Sequence, residues 1–108
     1  MKTVALVGDL MDRSKIGAAL TDVAFISTPD GCADADVVVV DLGSHRGDVA
    51  GVRRVVPGAQ IVAFGRHDDP EALARAREDG ADLALPRSRF FRDPAAALRV
   101  TRRPGGGS

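Results

Sequence analysis

The sequence is poor in the residue types that build several common kinds of site. Its single cysteine, Cys32, excludes an internal disulfide and any cluster of cysteine metal ligands. A reducing, cytoplasmic location is the expectation that follows. No apolar run approaches the roughly 20 residues that a membrane-spanning helix needs, and no secretory signal peptide is visible. Tryptophan and tyrosine are absent and aromatic residues make up only 4%, so we expect an aliphatic core and no membrane partner.

Charge is unevenly distributed along the chain, although the formal net charge is +0. Residues 1–50 hold four basic and eight acidic side chains, whereas residues 51–108 hold eleven basic and seven acidic ones. The last stretch sets six arginines against a single acid, Asp93; they are Arg87, Arg89, Arg92, Arg99, Arg102 and Arg103. Such a surface fits an acidic protein partner, nucleic acid or a solvated helix face. Because no nucleic-acid-binding motif accompanies it, nucleic acid is the least favoured of the three.

The apolar residues form short runs separated by helical patterns. The runs are 4–7, 23–26, 37–40, 61–64 and 83–85. Several are continuously apolar, which is typical of strands buried on both faces of a parallel sheet. Between them, apolar residues recur at helical spacing over 12–20, 48–56, 69–80 and from 93 onwards. This alternation predicts an open α/β fold with right-handed crossovers.

Local signals place the helix starts and one irregular link. Asp12 is the expected N-cap of the first helix, and the Asp-Pro pairs at 69–70 and 93–94 begin two later helices. Only residues 28–35 separate the second and third strands, so the second helix is reduced to one turn around 30–33 or the second strand is irregular. We expect one domain over 1–101 and a flexible glycine-rich tail over 102–108.

Three segments resemble the receiver domains of two-component response regulators. They are VALVGDL (4–10), VVVVDLG (37–43) and IVAFGRHDDPEALARAREDGADLALPRS (61–88). The resemblance covers residues 2 to about 98. It implies a flavodoxin-like (CheY-like), doubly wound, five-stranded parallel sheet of order 2-1-3-4-5. It also implies a bacterial signalling domain rather than an enzyme.

The resemblance assigns candidate roles at the carboxyl ends of the strands. Asp41 matches the family's phosphoacceptor, and Asp9 matches the second of two adjacent acids that hold Mg²⁺ beside it. Gly8 stands where the first of those acids is expected, and Gly65 stands where receivers carry a threonine or serine that contacts the phosphoryl group. Arg87 replaces the lysine that pairs with that group. Asp9 and Asp41 are therefore candidate Mg²⁺ ligands only if phosphoacceptor chemistry is retained.

These departures indicate an atypical receiver, or pseudo-receiver, in which no cofactor is needed. We expect Arg87 to bridge Asp41 and Asp9 permanently and so to imitate an occupied site. The predicted function is that of a single-domain adaptor that acts through protein contact, independently of phosphorylation. Two alternatives stay open: a phosphoaccepting response regulator that uses Asp41, and a small-ligand or nucleotide-binding module at the loops between the first and third strands.

The predicted partner surface lies in residues 69–100, through which a homodimer is also a candidate. Its proposed contact residues are Arg75, Arg77, Phe91 and Arg99. One of the adjacent residues Phe90 and Phe91 is expected in the core, with the other exposed to a partner. His45 and His67 are expected to be solvent-exposed loop residues, because no metal-ligand spacing accompanies them.

Overall fold

The structure is a computed structural model that describes residues 1–101, with side chains through residue 99. The predicted tail, 102–108, lies outside the described residues. The strands are β1 (Thr3–Leu6), β2 (Val23–Ile26), β3 (Val37–Asp41), β4 (Gln60–Gly65) and β5 (Leu83–Pro86). The helices are α1 (Leu10–Ala19), α2 (Val49–Val55), α3 (Pro70–Glu78), α4 (Arg87–Arg92) and α5 (Pro94–Thr101).

The five strands form one parallel sheet of order β2-β1-β3-β4-β5, as predicted. β3 is central, which explains why its four valines are all buried. Successive side chains of a strand point to opposite faces, so Val38 and Val40 join one core cluster and Val37 and Val39 join the other. A continuously apolar strand therefore contributes to two cores at once.

Helices cover both faces of the sheet. On one face, Val49 and Val52 of α2 and Leu73 of α3 pack against alternate strand residues. On the other face the cover comes from Ile16 of α1, Phe90 of α4 and the buried side of α5. Within residues 1–101, no helix has the length and apolar character that a bilayer crossing requires.

The link between β2 and β3 contains a short 3₁₀ helix, Pro29–Cys32, in place of a full crossover helix. This confirms the first of the two predicted outcomes for this segment. The sequence patterns did not predict α4, which follows β5 directly. The chain therefore covers the β4 and β5 end of the sheet with two short helices, where a single last helix was expected.

The predicted start of the first helix is wrong. Asp9, not Asp12, is the N-cap of α1, because the Asp9 carboxylate accepts hydrogen bonds from the backbone N–H groups of Met11 and Asp12. The predicted start of α3 is confirmed, since the Asp69 side chain accepts from Ala72 N. α3 ends before Gly80, whose φ of +121° favours glycine.

Candidate functional site

The carboxyl ends of β1, β3, β4 and β5 meet around a cleft of about 320 Å³. In an open parallel sheet this edge, beside the switch in strand order between β1 and β3, is where ligands usually bind. The cleft is lined by Asp9, Asp12, Asp41, Gly43, Ser44, Gly65, Arg66 and Arg87. The structure thus brings together the four residues that the sequence singled out here, Asp9, Asp41, Gly65 and Arg87, and adds Asp12 and Ser44.

Asp41 is the last residue of β3 and is only 4% exposed. Its carboxylate turns back onto its own loop: Oδ1 accepts from Gly43 N at 2.9 Å and Oδ2 accepts from Ser44 Oγ at 3.1 Å. The following backbone also closes on it, because Ser44 N and His45 N both donate to the Asp41 carbonyl. Both carboxylate oxygens are therefore already hydrogen-bonded within the chain, which is why so apolar a strand can end in an acid.

Ser44 occupies the space beside the glycine that replaces the first family acid. A Cβ atom built on Gly8 would lie 2.9 Å from Ser44 Oγ and 3.2 Å from Ser44 Cβ. Any side chain at position 8 would displace the hydroxyl that donates to Asp41. Gly8, Ser44 and Asp41 form one coupled arrangement, and the sequence offered no signal for the part that Ser44 takes in it.

Asp9 is exposed, but its Oδ1 atom is occupied by the start of α1. It accepts from Met11 N at 2.8 Å and from Asp12 N at 3.0 Å. These are two of the N–H groups that a helix start leaves without partners. Within residues 1–101, Asp9 accepts no hydrogen bond from a side chain. The Asp9 carboxylate therefore stabilises the start of α1.

Arg87 is held by Asp12. The guanidinium donates from Nη1 to Asp12 Oδ2 at 2.8 Å and from Nη2 to Asp12 Oδ1 at 2.7 Å, in a paired, fork-like geometry. Asp12 is 3% exposed, and the Arg87 side chain is 38% exposed. Hydrogen bonding to Asp12 raises the pKa of Arg87 above its ordinary value, and the charges of Asp12, Asp41 and Asp9 act in the same direction.

The prediction that Arg87 bridges Asp41 and Asp9 is therefore wrong, because Arg87 pairs with Asp12. The physical reason is the earlier start of α1. With Asp9 as the cap, Asp12 lies in the first turn and reaches Arg87, whereas Asp9 and Asp41 affect Arg87 only through their charge. The signal that sequence reasoning missed is the spacing of two acids three residues apart, of which one caps the helix and the other turns inward.

Three phenylalanine rings pack against one another next to Arg87. Phe64 and Phe90 stack with ring centroids 4.7 Å apart, and Phe91 meets each of them edge-on at 5.0 Å. The guanidinium carbon of Arg87 lies 5.5 Å from the Phe64 ring centroid and 5.2 Å from that of Phe91. Cation–π contacts of this kind hold Arg87 in addition to its ion pair.

Gly65 ends β4 and is buried at the edge of the cleft. A Cβ atom there would lie 3.3 Å from Leu42 Cδ1 and 3.5 Å from Leu73 Cδ2. A side chain there would be in ordinary contact with Leu73 and would need Leu42 to shift by a few tenths of an ångström. The hydroxyl that the resemblance places at this position is absent.

The residues present do not fit a Mg²⁺ site. Mg²⁺ requires several oxygen ligands in octahedral geometry. Here Asp41 is hydrogen-bonded through both oxygens, Asp9 caps a helix and Asp12 is bound to a cation. Within residues 1–101 no group of three histidine, cysteine, aspartate or glutamate side chains is arranged to hold a metal ion.

The histidines lie outside this cleft. The ring of His45 is less exposed than predicted, at 14%, because its Nδ1 lies 2.8 Å from Asp48 Oδ2. His67 is exposed as predicted. It lines a neighbouring cleft of about 370 Å³ with Lys15, Arg66, Asp68, Arg87, Ser88 and Phe91.

The predicted partner residues lie on helices α3, α4 and α5. Arg75 and Arg99 are exposed; Arg75 lies 3.4 Å from Asp79. Arg77 is also exposed and donates to the Ala84 carbonyl at 3.0 Å. Phe90 is fully buried, as expected for one of the pair, while Phe91 is half-buried against Arg87 and Lys15.

Comparison with known proteins identifies the fold. No model of a known protein family matches the chain, and neither does any curated protein. A response regulator receiver domain protein from Clostridium thermocellum superposes with a TM-score of 0.71 at 15% identity, covering 94% of both chains. The BeF₃-activated DrrB receiver domain matches at a TM-score of 0.68 and 20% identity, over 92% of this chain and 98% of that one.

A third structure, a response regulator protein from Burkholderia pseudomallei with a phosphorylated aspartic acid, calcium ion and citrate, matches at a TM-score of 0.68. Its identity is 18%, over 91% of this chain and 66% of that one. The chain has the fold of a receiver domain. At these identities the similarity extends to the fold alone, so the function has to be argued from the site.

Proposed function

We propose that the chain is an atypical receiver that acts as a signalling adaptor through protein contact, without phosphorylation at Asp41. The observation that carries the proposal is that the charged groups of the cleft already have hydrogen-bond partners within the described chain. Asp41 is bound by Gly43 and Ser44, and Asp9 caps α1. Arg87 is paired with Asp12. An incoming phosphoryl group would have to break these contacts without a metal to neutralise its charge.

The chemistry of phosphoryl transfer also argues against activity at this site. A carboxylate that attacks a phosphoryl group needs a free oxygen and a cation that stabilises the developing charge. The cation within electrostatic reach of Asp41 is Arg87, and both of its terminal nitrogens donate to Asp12. We therefore expect no phosphorylated aspartate of the kind that the Burkholderia pseudomallei neighbour contains.

The output of such a domain is binding. The surface that we propose for partners comprises α3, β5, α4 and α5, with Arg75, Arg77, Phe91 and Arg99 as contact residues. Arg75 and Arg99 are exposed there. A symmetric homodimer through residues 69–100 would use the same surface. A non-enzymatic, cytoplasmic role is part of this proposal.

Intact-protein mass spectrometry after incubation with acetyl phosphate and Mg²⁺ tests the proposal. We expect the mass of the wild-type chain to be unchanged, as it is for Asp41→Asn. The conservative Asp41→Asn variant is the matched control because it retains an oxygen for Gly43 N. A phosphoryl group gained by the wild type and absent from Asp41→Asn would overturn the silent-site proposal and favour a phosphoaccepting response regulator.

A further inference from the structure

Charge is separated across the sheet as well as along the chain. Residues 16–45 contain no lysine or arginine and five aspartates, whereas residues 83–103 contain six arginines and one aspartate. β2 lies at one edge of the sheet and β5 lies at the other. The fold thus places Asp22, which precedes β2, and Asp30, in the 3₁₀ helix that follows β2, at one edge of the sheet. It places Arg89 and Arg92 of α4, which follows β5, at the other edge.

The acidic end is formed by the loop that carries the 3₁₀ helix, residues 28–36, together with Asp22; we name this surface the acidic edge. Asp22, Asp30 and Asp34 are exposed, and within residues 1–101 their carboxylates form no ion pair and accept no hydrogen bond. Asp36, also exposed, accepts only from the backbone N–H of Lys2, at 2.7 Å. Four carboxylates therefore face solvent without a cationic side chain of their own molecule.

The basic end contains a groove of about 230 Å³ between β5, α4 and α5, which we name the basic groove. Its lining includes the apolar side chains of Leu83, Leu85 and Ala97 together with Arg89 and Arg92. Both arginines are exposed, and neither has a carboxylate partner in the part of the chain that the structure describes. The acid beside them, Asp93, accepts from Ala96 N at the start of α5.

We propose that the basic groove binds the acidic edge of a second copy of this chain, with Asp30 and Asp34 of one molecule facing Arg89 and Arg92 of the next. The argument is charge complementarity: the two surfaces carry unpaired charges of opposite sign, and each is exposed. The inference deepens the proposed adaptor function by naming its partner. It rests on that function only in taking protein contact as the output.

The position of the two surfaces determines the kind of assembly. A symmetric dimer would need both surfaces of one molecule to contact the same neighbour. Because the two surfaces lie at opposite edges of the sheet, a neighbour that contacts one of them is far from the other. The contact is therefore head-to-tail rather than symmetric, and such contacts build chains unless the rotation closes a ring. This differs from the symmetric homodimer through residues 69–100, which would leave the acidic edge unused.

Salt dependence is the first signature of such a contact. Exposed charges attract over a Debye length of about 30 Å at about 0.01 M salt but only about 3 Å at about 1 M. In sedimentation equilibrium at low salt, the average mass of the wild-type chain should rise past that of a dimer as concentration increases. At high salt the apparent dissociation constant should weaken by roughly tenfold or more.

Two complementary variants make the test specific. Arg89→Gln/Arg92→Gln removes the charge of the groove, and Asp30→Asn/Asp34→Asn removes that of the acidic edge. Each variant alone should stay monomeric at low salt, while an equimolar mixture should form dimers and nothing larger. Arg46→Gln/Arg66→Gln, which removes two exposed positive charges outside the groove and the acidic edge, should associate like the wild type. Far-UV circular dichroism verifies that each variant is folded.

The other outcomes overturn the inference in distinguishable ways. A wild-type chain that stays monomeric at low salt excludes self-association but leaves binding to a different protein intact. An acidic-edge variant that still dimerises, beside a monomeric groove variant, indicates a symmetric dimer through residues 69–100. Equal loss of association in the Arg46/Arg66 control indicates unspecific charge attraction. A phosphoryl group added by acetyl phosphate would refute the silent site without affecting this result.

Discussion

Arg87 and Asp12 form a bidentate ion pair across 75 residues of sequence, with N–O distances of 2.8 and 2.7 Å. The pair joins the first turn of α1 to the start of α4 at the rim of the cleft. It takes up Arg87, the cation that the resemblance to receivers places beside Asp41. Asp12 therefore determines where the positive charge of Arg87 lies in the site. The resemblance to receivers assigned no role to Asp12.

We expect Arg87→Met to lower the free energy of unfolding by roughly 2 kcal/mol. The substitution leaves the buried Asp12 carboxylate, 3% exposed, without its partner, while the 38% exposure of the Arg87 side chain lets solvent reduce the loss. The double variant Asp12→Leu/Arg87→Met should recover most of the loss, because neither charge is then stranded. Urea unfolding of the four proteins in this cycle measures the coupling.

The matched control for that cycle is Arg66→Met. Arg66 also donates to an acid, Asp68, but both side chains are largely exposed. A pair of this kind contributes at most about 1 kcal/mol, so the control should change stability little. Equal losses of unfolding free energy in Arg87→Met and Arg66→Met would contradict the prediction that the pair with the buried Asp12 is more stabilising than an exposed pair.

Asp9 should behave as a helix cap rather than as a metal ligand. Asp9→Ala should lower the free energy of unfolding by about 1 kcal/mol, whereas Asp9→Ser, which keeps an oxygen for the N–H groups of α1, should lose only a few tenths. Millimolar Mg²⁺ should leave the melting temperature of the wild type unchanged. A rise with Mg²⁺ in the wild type that Asp9→Ser abolishes would show that the carboxylate holds a metal after all.

Gly8 and Ser44 should be energetically coupled. In Gly8→Ala, the added methyl group would lie 2.9 Å from Ser44 Oγ, so we expect the serine to move and its hydrogen bond to Asp41 to be lost, at a cost of about 1 kcal/mol. In a Ser44→Gly background the same substitution should cost much less. Chemical denaturation of the single and double variants gives the coupling energy.

Gly17→Ala serves as the control for that substitution. Gly17 lies within α1, and a Cβ atom there would have no neighbour within 4 Å. Alanine should therefore stabilise the chain by roughly 0.5–1 kcal/mol through its better helix propensity. Additive effects of Gly8→Ala and Ser44→Gly would argue that the two positions are independent.

The sequence predicted the sheet because its signals are local and repeated. The four-valine run of β3 indicated burial on both faces, and the Asp-Pro pair at 69–70 indicated the start of α3; the structure has both features. The partner of Arg87 was not predictable in the same way. It depends on which of two acids caps α1, and the acid that does not cap the helix, Asp12, pairs with a residue 75 positions away in the sequence.

Ser44 and Gly65 show the second limit of sequence reasoning. The absence of a hydroxyl at Gly65 was visible in the sequence, but the narrow space that Leu42 and Leu73 leave for a side chain there is a matter of distances. Similarly, the sequence has a serine three residues after Asp41, and nothing in that spacing indicates that its hydroxyl lies over Gly8. A sequence shows which residues differ from those of a similar family. It does not show which neighbouring side chains lie at those positions in the folded chain.

Cys32 provides a prediction for the alkaline limb of the stability profile. Its side chain is fully buried, and this burial raises the pKa of the thiol to about 11 from an ordinary value of 9.0. Between these two values the unfolded chain has lost the thiol proton and the folded chain has kept it, so the unfolded state is favoured as pH rises. Stability from this group is therefore complete below pH 9.0 and falls through the window up to about pH 11.

Comparison of the wild type with Cys32→Ala isolates this contribution from lysines and other groups that titrate in the same range. The difference in free energy of unfolding between the two proteins should change by roughly 3 kcal/mol across the window, to the disadvantage of the wild type. Urea unfolding at a series of pH values measures it. The native thiol should also resist alkylation at pH 8, because the buried thiol forms almost no thiolate there. A difference that stays constant with pH, or rapid alkylation of the folded chain, would mean that Cys32 reaches solvent through local opening of the 3₁₀ segment.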